Sequence, residues 1–516
     1  MLRRATDWCI AGLLAVVFAT SVLVFHARRP GPYPPVQGCE ADRHYTTAGQ
    51  LLCGKLQHPH STVGVLYPTF TALVAEWIEP TYLAGKLVSL FFGGLLIGLI
   101  YLAGLAHTGS RVIAGGAAVL AGANASVFYY GTLACTDLTA AFFAFLALHY
   151  ALGALRRDWP WPRPLLAGAC GVLACLVRDQ FYFFVAGLAV ALLFLPRAKD
   201  GKRFLILPGF IVGVLAAFAV YLAIATKYFA TDVSDALGWT ALISRRAELA
   251  SVVAGRTGLG AMLAPLLARY HFSLKLVAQL VGRLPLLLGL VAAVALLLRP
   301  RYRRLAIAPL IPLAIYFLGV GWYSTEGVVD DRFFLIFEPV LAIFFSAGVC
   351  ALVGLMVGRR AALGRAIGLA AVLATAALLG RADLPQMPHF DPILRPGVPD
   401  VPPAQVFRLQ QQIRCELVMT PSLEAGAQFN RTYLLADYYR QQSVNNARLV
   451  QIMSGDEMAS ERCPCYVMLP ANAEQKGIVP GVPFGPGDRY QLDRMYRLYD
   501  RVFYRLTDRG VTKPRE

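Results

Sequence analysis

Long apolar runs, separated by short polar breaks, fill the first three quarters of this chain. A bilayer core about 30 Å thick is crossed by roughly 20 apolar residues in a helix. Runs of that kind fall at 8–25, 82–105, 111–131, 136–155, 164–178, 181–196, 204–226, 272–298, 304–323, 333–356 and 362–380. The pattern predicts a polytopic α-helical membrane protein of about eleven transmembrane helices. The short segments on either side of Arg178 read as two helices that meet at one membrane surface. From residue 383 the pattern changes, and no later run is long enough to span. There the pieces CELVMT, ARLVQIM, CYVML and RVFYRL read as strands and 433–442 as a helix, which predicts a small α/β domain. Residues 1–382 are thus expected to form a transmembrane domain and 383–516 a soluble one.

Composition agrees with the pattern. Of 516 residues 57% are hydrophobic and only 15% charged, too apolar for an ordinary soluble enzyme of this length. The formal charge of +17 suggests nucleic acid at first sight. The basic residues, however, cluster in short loops between apolar runs, and no aromatic and basic nucleic-acid motif stands out. Arg156, Arg157 and Arg163, then Arg197, Lys199, Lys202 and Arg203, then Arg299 to Arg304, then Arg359, Arg360 and Arg365 fall in alternate loops. With these loops on the cytoplasmic side, the N-terminus is cytoplasmic and the C-terminal domain extracytoplasmic. The first run, preceded by MLRR and followed by no clear cleavage site, reads as an uncleaved helix with a cytoplasmic N-terminus.

Two loops on the outer side are long, 27–81 and 227–271, and each is expected to fold as short amphipathic helices. In the first, Asp42, Tyr45, Thr46 and Gly49 share one helical face by their spacing. Charged groups at membrane depth are costly, so those near helix ends raise a functional question. On the outer side these are Glu40, Asp42, Arg43, His44, His58, His60, Asp137, Arg178, Asp179, Glu326, Asp330, Asp331 and Arg332. They are expected at one membrane face, as one site built from several loops. Cys39 with Cys53, and Cys415 with Cys463 or Cys465, are candidate disulfides on the oxidising side. A zinc site at Cys463-Pro-Cys465 lacks further ligands nearby.

The stretch CEADRHYTTAGQLLCG, followed by VGVLYPTFTALVAEWI, resembles the first loop of the GT-C membrane glycosyltransferases. The resemblance is to the branch that holds the protein O-mannosyltransferases and the lipid A aminoarabinose transferase. Asp42, Tyr45, Ala48, Gly54 and Tyr67-Pro68 occupy that loop's acidic, aromatic, small, glycine and proline places. The likeness continues in YYGTLACTDLTAAFFAFLALHYAL, where Thr136-Asp137 matches a second acidic position at a helix start. ACLVRDQFYFF is similar to a Leu-x-Arg turn between helices, and DDRFFLIFEPVLAIFFSAGV to an Arg-aromatic helix start. Two departures stand out: Tyr-Pro-Thr replaces a double proline, and Asp42 is followed by basic Arg43 rather than a second acid.

The resemblance implies a GT-C fold and an inverting glycosyltransferase that takes its sugar from a polyprenyl-phosphate donor. The acceptor would be an envelope hydroxyl on a glycolipid, a polysaccharide or a protein. Such transfer needs a base for the acceptor proton and cations for the departing phosphate. Asp42 is the expected base, with a solvated loop acid as the competing reading and Glu40 as an alternative base. Asp137 is expected to orient the acceptor or a basic side chain, against the simpler reading of a helix N-cap. Arg178, Arg332 and Arg43 are candidates for the donor phosphate, because a guanidinium gives phosphate two parallel hydrogen bonds. Arg178 and Arg332 could equally pair with Asp179 and Asp331. Tyr45, Tyr67, His58, His60 and Asp331 complete the candidate substrate-binding set. No cofactor is required, although His58 and His60 with Asp42 could ligate a divalent metal.

Tyr129, Tyr130, Phe181, Tyr182, Phe333 and Phe334 fall at helix ends, where an aromatic belt is the default expectation. Three rival classes remain, one of them a catalytically silent scaffold of envelope assembly, against which Asp42 and Asp137 argue. A lipid or sugar transporter should show inverted repeats or broken helices in corresponding halves, and the sequence shows neither. An acyltransferase needs an activated histidine, and His149 near an inner helix end has no evident partner.

Overall fold

The computed structural model describes residues 2–28, 48, 64–78, 81–131, 133, 135–155, 162–195, 203–228, 259–297, 303–322, 331–357, 361–383, 417–419, 433–434, 465–470, 480–481, 483–484, 490–498 and 501–508. Two compact units emerge from the packing. The first holds the helices from residue 86 to residue 383, together with the N-terminal helix and residues 64–67. The second holds residues 68–78 and 81–85 and the strands after residue 393.

The helices follow the apolar runs. They are α1 (Leu2–Arg28), α2 (Leu66–Ala75), α3 (Thr81–Thr108), α4 (Arg111–Gly122), α5 (Ala125–Tyr130), α6 (Asp137–Ala154) and α7 (Pro162–Val177). Then come α8 (Phe181–Phe194), α9 (Arg203–Tyr228), α10 (Leu259–Val281), α11 (Arg283–Leu297) and α12 (Arg303–Trp322). A 3₁₀ turn at Asp331–Phe334 leads into α13 (Phe337–Val357), and α14 (Ala361–Asp383) ends the helical part. Among the described residues, α1, α3, α6 and α9 are long and apolar enough to cross a membrane, and α10 with α11 would make a fifth crossing.

The structure breaks two runs that the pattern reads as single helices. The run 111–131 divides at Asn124, whose side-chain oxygen caps the amides of Ser126 and Val127 while its amide donates to the carbonyl of Leu280 at 2.6 Å. The run 272–298 divides at Gly282, where α10 and α11 bend by 101°. Gly282 has φ +86°, a conformation a side chain would oppose. The expected outer loop 227–271 is shorter than read, since its last part belongs to α10.

Small residues let the helices approach closely, as is usual in lipid, where apolar side chains gain little by leaving the acyl chains. Gly94 and Gly98 of α3 lie against Ala15 and Ala11 of α1. Gly168 of α7 meets the backbone of α9 at Phe210, and Gly213 of α9 answers at the carbonyl of Leu165. Gly187 of α8 sits on Pro312 of α12.

In the second unit the strands are β1 (Leu417–Met419), β2 (Tyr433–Leu434), β3 (Cys465–Pro470), β4 (Pro483–Phe484), β5 (Tyr490–Leu498) and β6 (Arg501–Asp508). They form one sheet in the order β2-β1-β3-β6-β5-β4. The β1 strand pairs in parallel with β2 and β3, and the other pairs are antiparallel. Tyr433–Leu434, read from sequence as the start of a helix, is a strand paired to Leu417–Val418. The strand expected at ARLVQIM lies outside the described residues.

Candidate functional site

The site grows from the turn between α7 and α8. Arg178 closes α7 by donating its amide to the Ala174 carbonyl, and Asp179 accepts the Gln180 amide at 2.9 Å on its own side chain. The Phe181 and Tyr182 amides then return to the carbonyls of Arg178 and Asp179. The chain thus reverses within three residues, with the amides of Arg178, Gln180, Phe181 and Tyr182 satisfied locally. Because α6 and α7 are antiparallel neighbours, the end of α7 comes back beside the start of α6.

There Asp137 and Arg178 form a salt bridge. Both are buried, at 2% and 6% exposure. Asp137 is the first residue of α6 and Thr136 is its N-cap, which makes no side-chain capping bond. The N-cap reading of Asp137 is therefore replaced by an ion pair, to which the positive end of α6 adds.

The 3₁₀ turn before α13 lies over this pair. The Phe333 ring sits 4.4 Å from the Arg178 guanidinium and 5.7 Å from that of Arg332. Phe333 therefore offers its π system to two cations, an attractive arrangement when water is excluded. Arg332 itself is half-buried, while the Asp331 side chain lies outside the described residues.

The exit of the first long loop reaches the same place. Tyr67, at the start of α2, is fully buried with its hydroxyl 2.9 Å from Ser89 Oγ of α3. Ser89 donates its single proton to the Cys135 carbonyl at 2.9 Å and accepts from the Cys135 amide at 3.2 Å, so Tyr67 is the donor in the first bond. Cys135 lies two residues before Asp137. Gly64, just upstream, packs so tightly on the Leu176 carbonyl that a Cβ there would overlap it. Asp137, Arg178, Arg332 and Tyr67 are thus brought together. Asp42, Arg43, Glu40, Tyr45, His58 and His60 lie outside the described residues, as do Cys39, Cys53, Cys415 and Cys463.

Sequence reasoning missed four polar residues here and nearby. Lys86 lies one turn before Ser89 on α3 and is 2% exposed. Gln180 and Tyr316 are buried and hydrogen-bonded to each other at 3.3 Å. Glu338 is buried in the first turn of α13, with no hydrogen bond to its Oε2 among the described residues. Lys86 and Glu338 are charged groups within apolar runs, and the cost of burying them was the available signal; uncharged Gln180 and Tyr316 offered none.

Two other readings change. Tyr130, Phe181, Phe333 and Phe334 are buried among helices rather than set in an interfacial belt, because they fill the space around the turn. His149, read as lacking a partner, has the His107 ring edge-on at 5.5 Å. The two rings line a cavity of about 50 Å³ with Phe145, Pro309 and Phe344. Among the described residues no three His, Cys, Asp or Glu side chains converge on a metal site.

No family model and no curated protein matches the sequence. Solved structures do. ArnT from Cupriavidus metallidurans bound to undecaprenyl phosphate aligns over 99% of this chain and 100% of its own, at 13% identity and a TM-score of 0.56. Archaeal oligosaccharyltransferase AglB from Archaeoglobus fulgidus, in complex with an inhibitory peptide and a dolichol-phosphate, covers 91% of this chain and 69% of its own at 13% identity, with a TM-score of 0.44. The Saccharomyces cerevisiae protein O-mannosyltransferase Pmt1-Pmt2 complex bound to the sugar donor covers 44% of this chain and 35% of its own at 18% identity, with a TM-score of 0.36. The last two are too loose to support a conclusion. The chain shares its fold with ArnT.

Proposed function

We propose that this protein is an inverting glycosyltransferase of a bacterial inner membrane. It moves a sugar from a polyprenyl-phosphate donor to an envelope acceptor hydroxyl at the extracytoplasmic face. The observation that carries this reading is the buried pair of Asp137 and Arg178, with Phe333 and Arg332 against it. A guanidinium held by a carboxylate on one side and a ring on another keeps one orientation. A guanidinium so oriented can face phosphate oxygens without reorganisation during reaction. Undecaprenyl phosphate in the ArnT structure supports a lipid phosphate as the ligand class.

In this reaction the acceptor oxygen attacks the anomeric carbon and the bond from that carbon to the phosphate oxygen breaks. The acceptor proton passes to a carboxylate, which we assign to Asp42 on its place in the loop pattern, with Glu40 as the alternative. Negative charge grows on the departing polyprenyl phosphate, where Arg178, Arg332 and Arg43 offset it, and Lys86 adds a buried cation one turn from Ser89. Tyr67 holds the exit of the loop to α6. Tyr45, His58, His60 and Asp331 belong to the substrate side, and a chelator that leaves turnover unchanged would exclude an essential metal there.

The experiment is transfer of radiolabelled sugar from a polyprenyl-phosphate donor in proteoliposomes. Wild type should transfer, and Asp42→Asn should lose most turnover while remaining folded. Near-normal turnover in Asp42→Asn overturns the base assignment. Sugar movement across the bilayer without transfer would establish the rival transporter, whose specific support is the bent pair α10 and α11.

A further inference from the structure

Tyr316 lies in the middle of α12, inside an apolar run that gives no hint of function, and is fully buried. Its hydroxyl donates to the Phe333 carbonyl at 2.5 Å and accepts from Gln180 Nε2 at 3.3 Å. One oxygen therefore joins α12 to the 3₁₀ turn that carries Arg332 and Phe333, and to the helical turn that carries Arg178. The ring is held as well, at 5.1 Å from Phe181, 6.3 Å from Phe184 and 6.4 Å from Phe337. Its single proton is committed to the Phe333 carbonyl, so none is left for a substrate.

We infer that Tyr316 is a positioning residue for the donor phosphate, fixing the turn of Arg332 and Phe333 in register with the turn of Arg178. This rests on the donor reading above. Without the hydroxyl, the carbonyl of Phe333 and the amide of Gln180 must each find another partner in a buried setting, and the 3₁₀ turn is the softer element. When it shifts, the Phe333 ring leaves the face of Arg178 and the guanidinium loses one of its walls.

The test uses the full chain in nanodiscs with undecaprenyl phosphate as the probe. Tyr316→Phe keeps the ring and its aromatic contacts and removes only the hydroxyl. Its affinity for undecaprenyl phosphate should fall about tenfold, while amide exchange speeds up across 331–336 and stays unchanged along 181–194. Gln180→Leu, which removes one arm of the same tether, should weaken binding about threefold and carries the test should Tyr316→Phe not fold. Unchanged exchange across 331–336 overturns the tether. Faster exchange with undiminished affinity overturns the positioning role. A wild type that does not bind undecaprenyl phosphate overturns the donor reading and this role with it, while the exchange comparison still reports the tether on its own.

Discussion

Asp137 begins one helix and Arg178 ends another, 41 positions along the chain, and the two side chains meet in a salt bridge from which water is almost wholly excluded. Burying two opposite charges costs solvation that their attraction only partly returns. Such a pair is a weak source of stability and a strong constraint on geometry. Its place at one end of the helical unit, beneath a ring shared with Arg332, is why a phosphate is the third party we propose.

Removing one partner should therefore be worse than removing both. Asp137→Asn leaves Arg178 buried without its counter-charge, a loss of about 3 kcal/mol in stability and most of the transfer activity. The double change of Asp137→Asn with Arg178→Gln should recover much of the stability and none of the activity. Thermal unfolding and sugar transfer, measured on the three variants, check this. A double variant no more stable than Asp137→Asn would contradict it.

How much of this was legible beforehand follows from what apolar runs can and cannot encode. The run 136–155 became α6 (Asp137–Ala154), and 164–178 with 181–196 became α7 and α8, because a helix in lipid must satisfy its own backbone and its ends are marked by charge. The breaks at Asn124 and Gly282 stayed hidden. A single Asn or Gly scarcely alters the hydropathy of a run, and each break depends on tertiary placement: the Asn124 amide needs the Leu280 carbonyl. Arg178 was singled out by its charge, but its pairing with Asp137 was not, since Asp179 is nearer in sequence and the approach of Asp137 depends on how the helices pack. Tyr316 and Gln180 were invisible because both are uncharged and lie within or beside apolar segments.

Ser89 should prove costly to lose, although nothing in its sequence context marks it. Ser89→Ala removes the acceptor for the Tyr67 hydroxyl and the donor to the Cys135 carbonyl, both buried, while the Cys135 amide keeps the Leu133 carbonyl at 2.9 Å. A penalty of about 2 kcal/mol is expected, read from the midpoint of denaturant unfolding. Tyr67→Phe on the Ser89→Ala background should add little, because the bond it would break is already gone.

The glycine contacts of α7 and α9 predict a coupled pair. Gly168→Ala and Gly213→Ala each drive a methyl into backbone of the opposite helix, where no side-chain rotation can relieve the overlap. Each should cost about 2 kcal/mol, and the double variant less than the sum, since separating the helices once accommodates both methyls. Strict additivity in thermal unfolding would show that the two sites do not share one interface.

Gly64→Ala tests whether the exit of the first long loop must lie on α7. An added Cβ would overlap the Leu176 carbonyl, two residues before Arg178, so either the loop lifts or the end of α7 shifts. Both outcomes disturb the site while leaving the remaining helix contacts in place. The expected result is a modest loss of thermal stability, about 1–3 kcal/mol, with a larger loss in kcat/KM for transfer than stability alone would cause at a temperature where the variant is fully folded. Gly12→Ala is the control, because open space surrounds that position on α1, and it should behave as wild type. Transfer by Gly64→Ala at the wild-type rate would mean that the loop can leave α7 without consequence, and that the chemistry does not depend on where its exit is held.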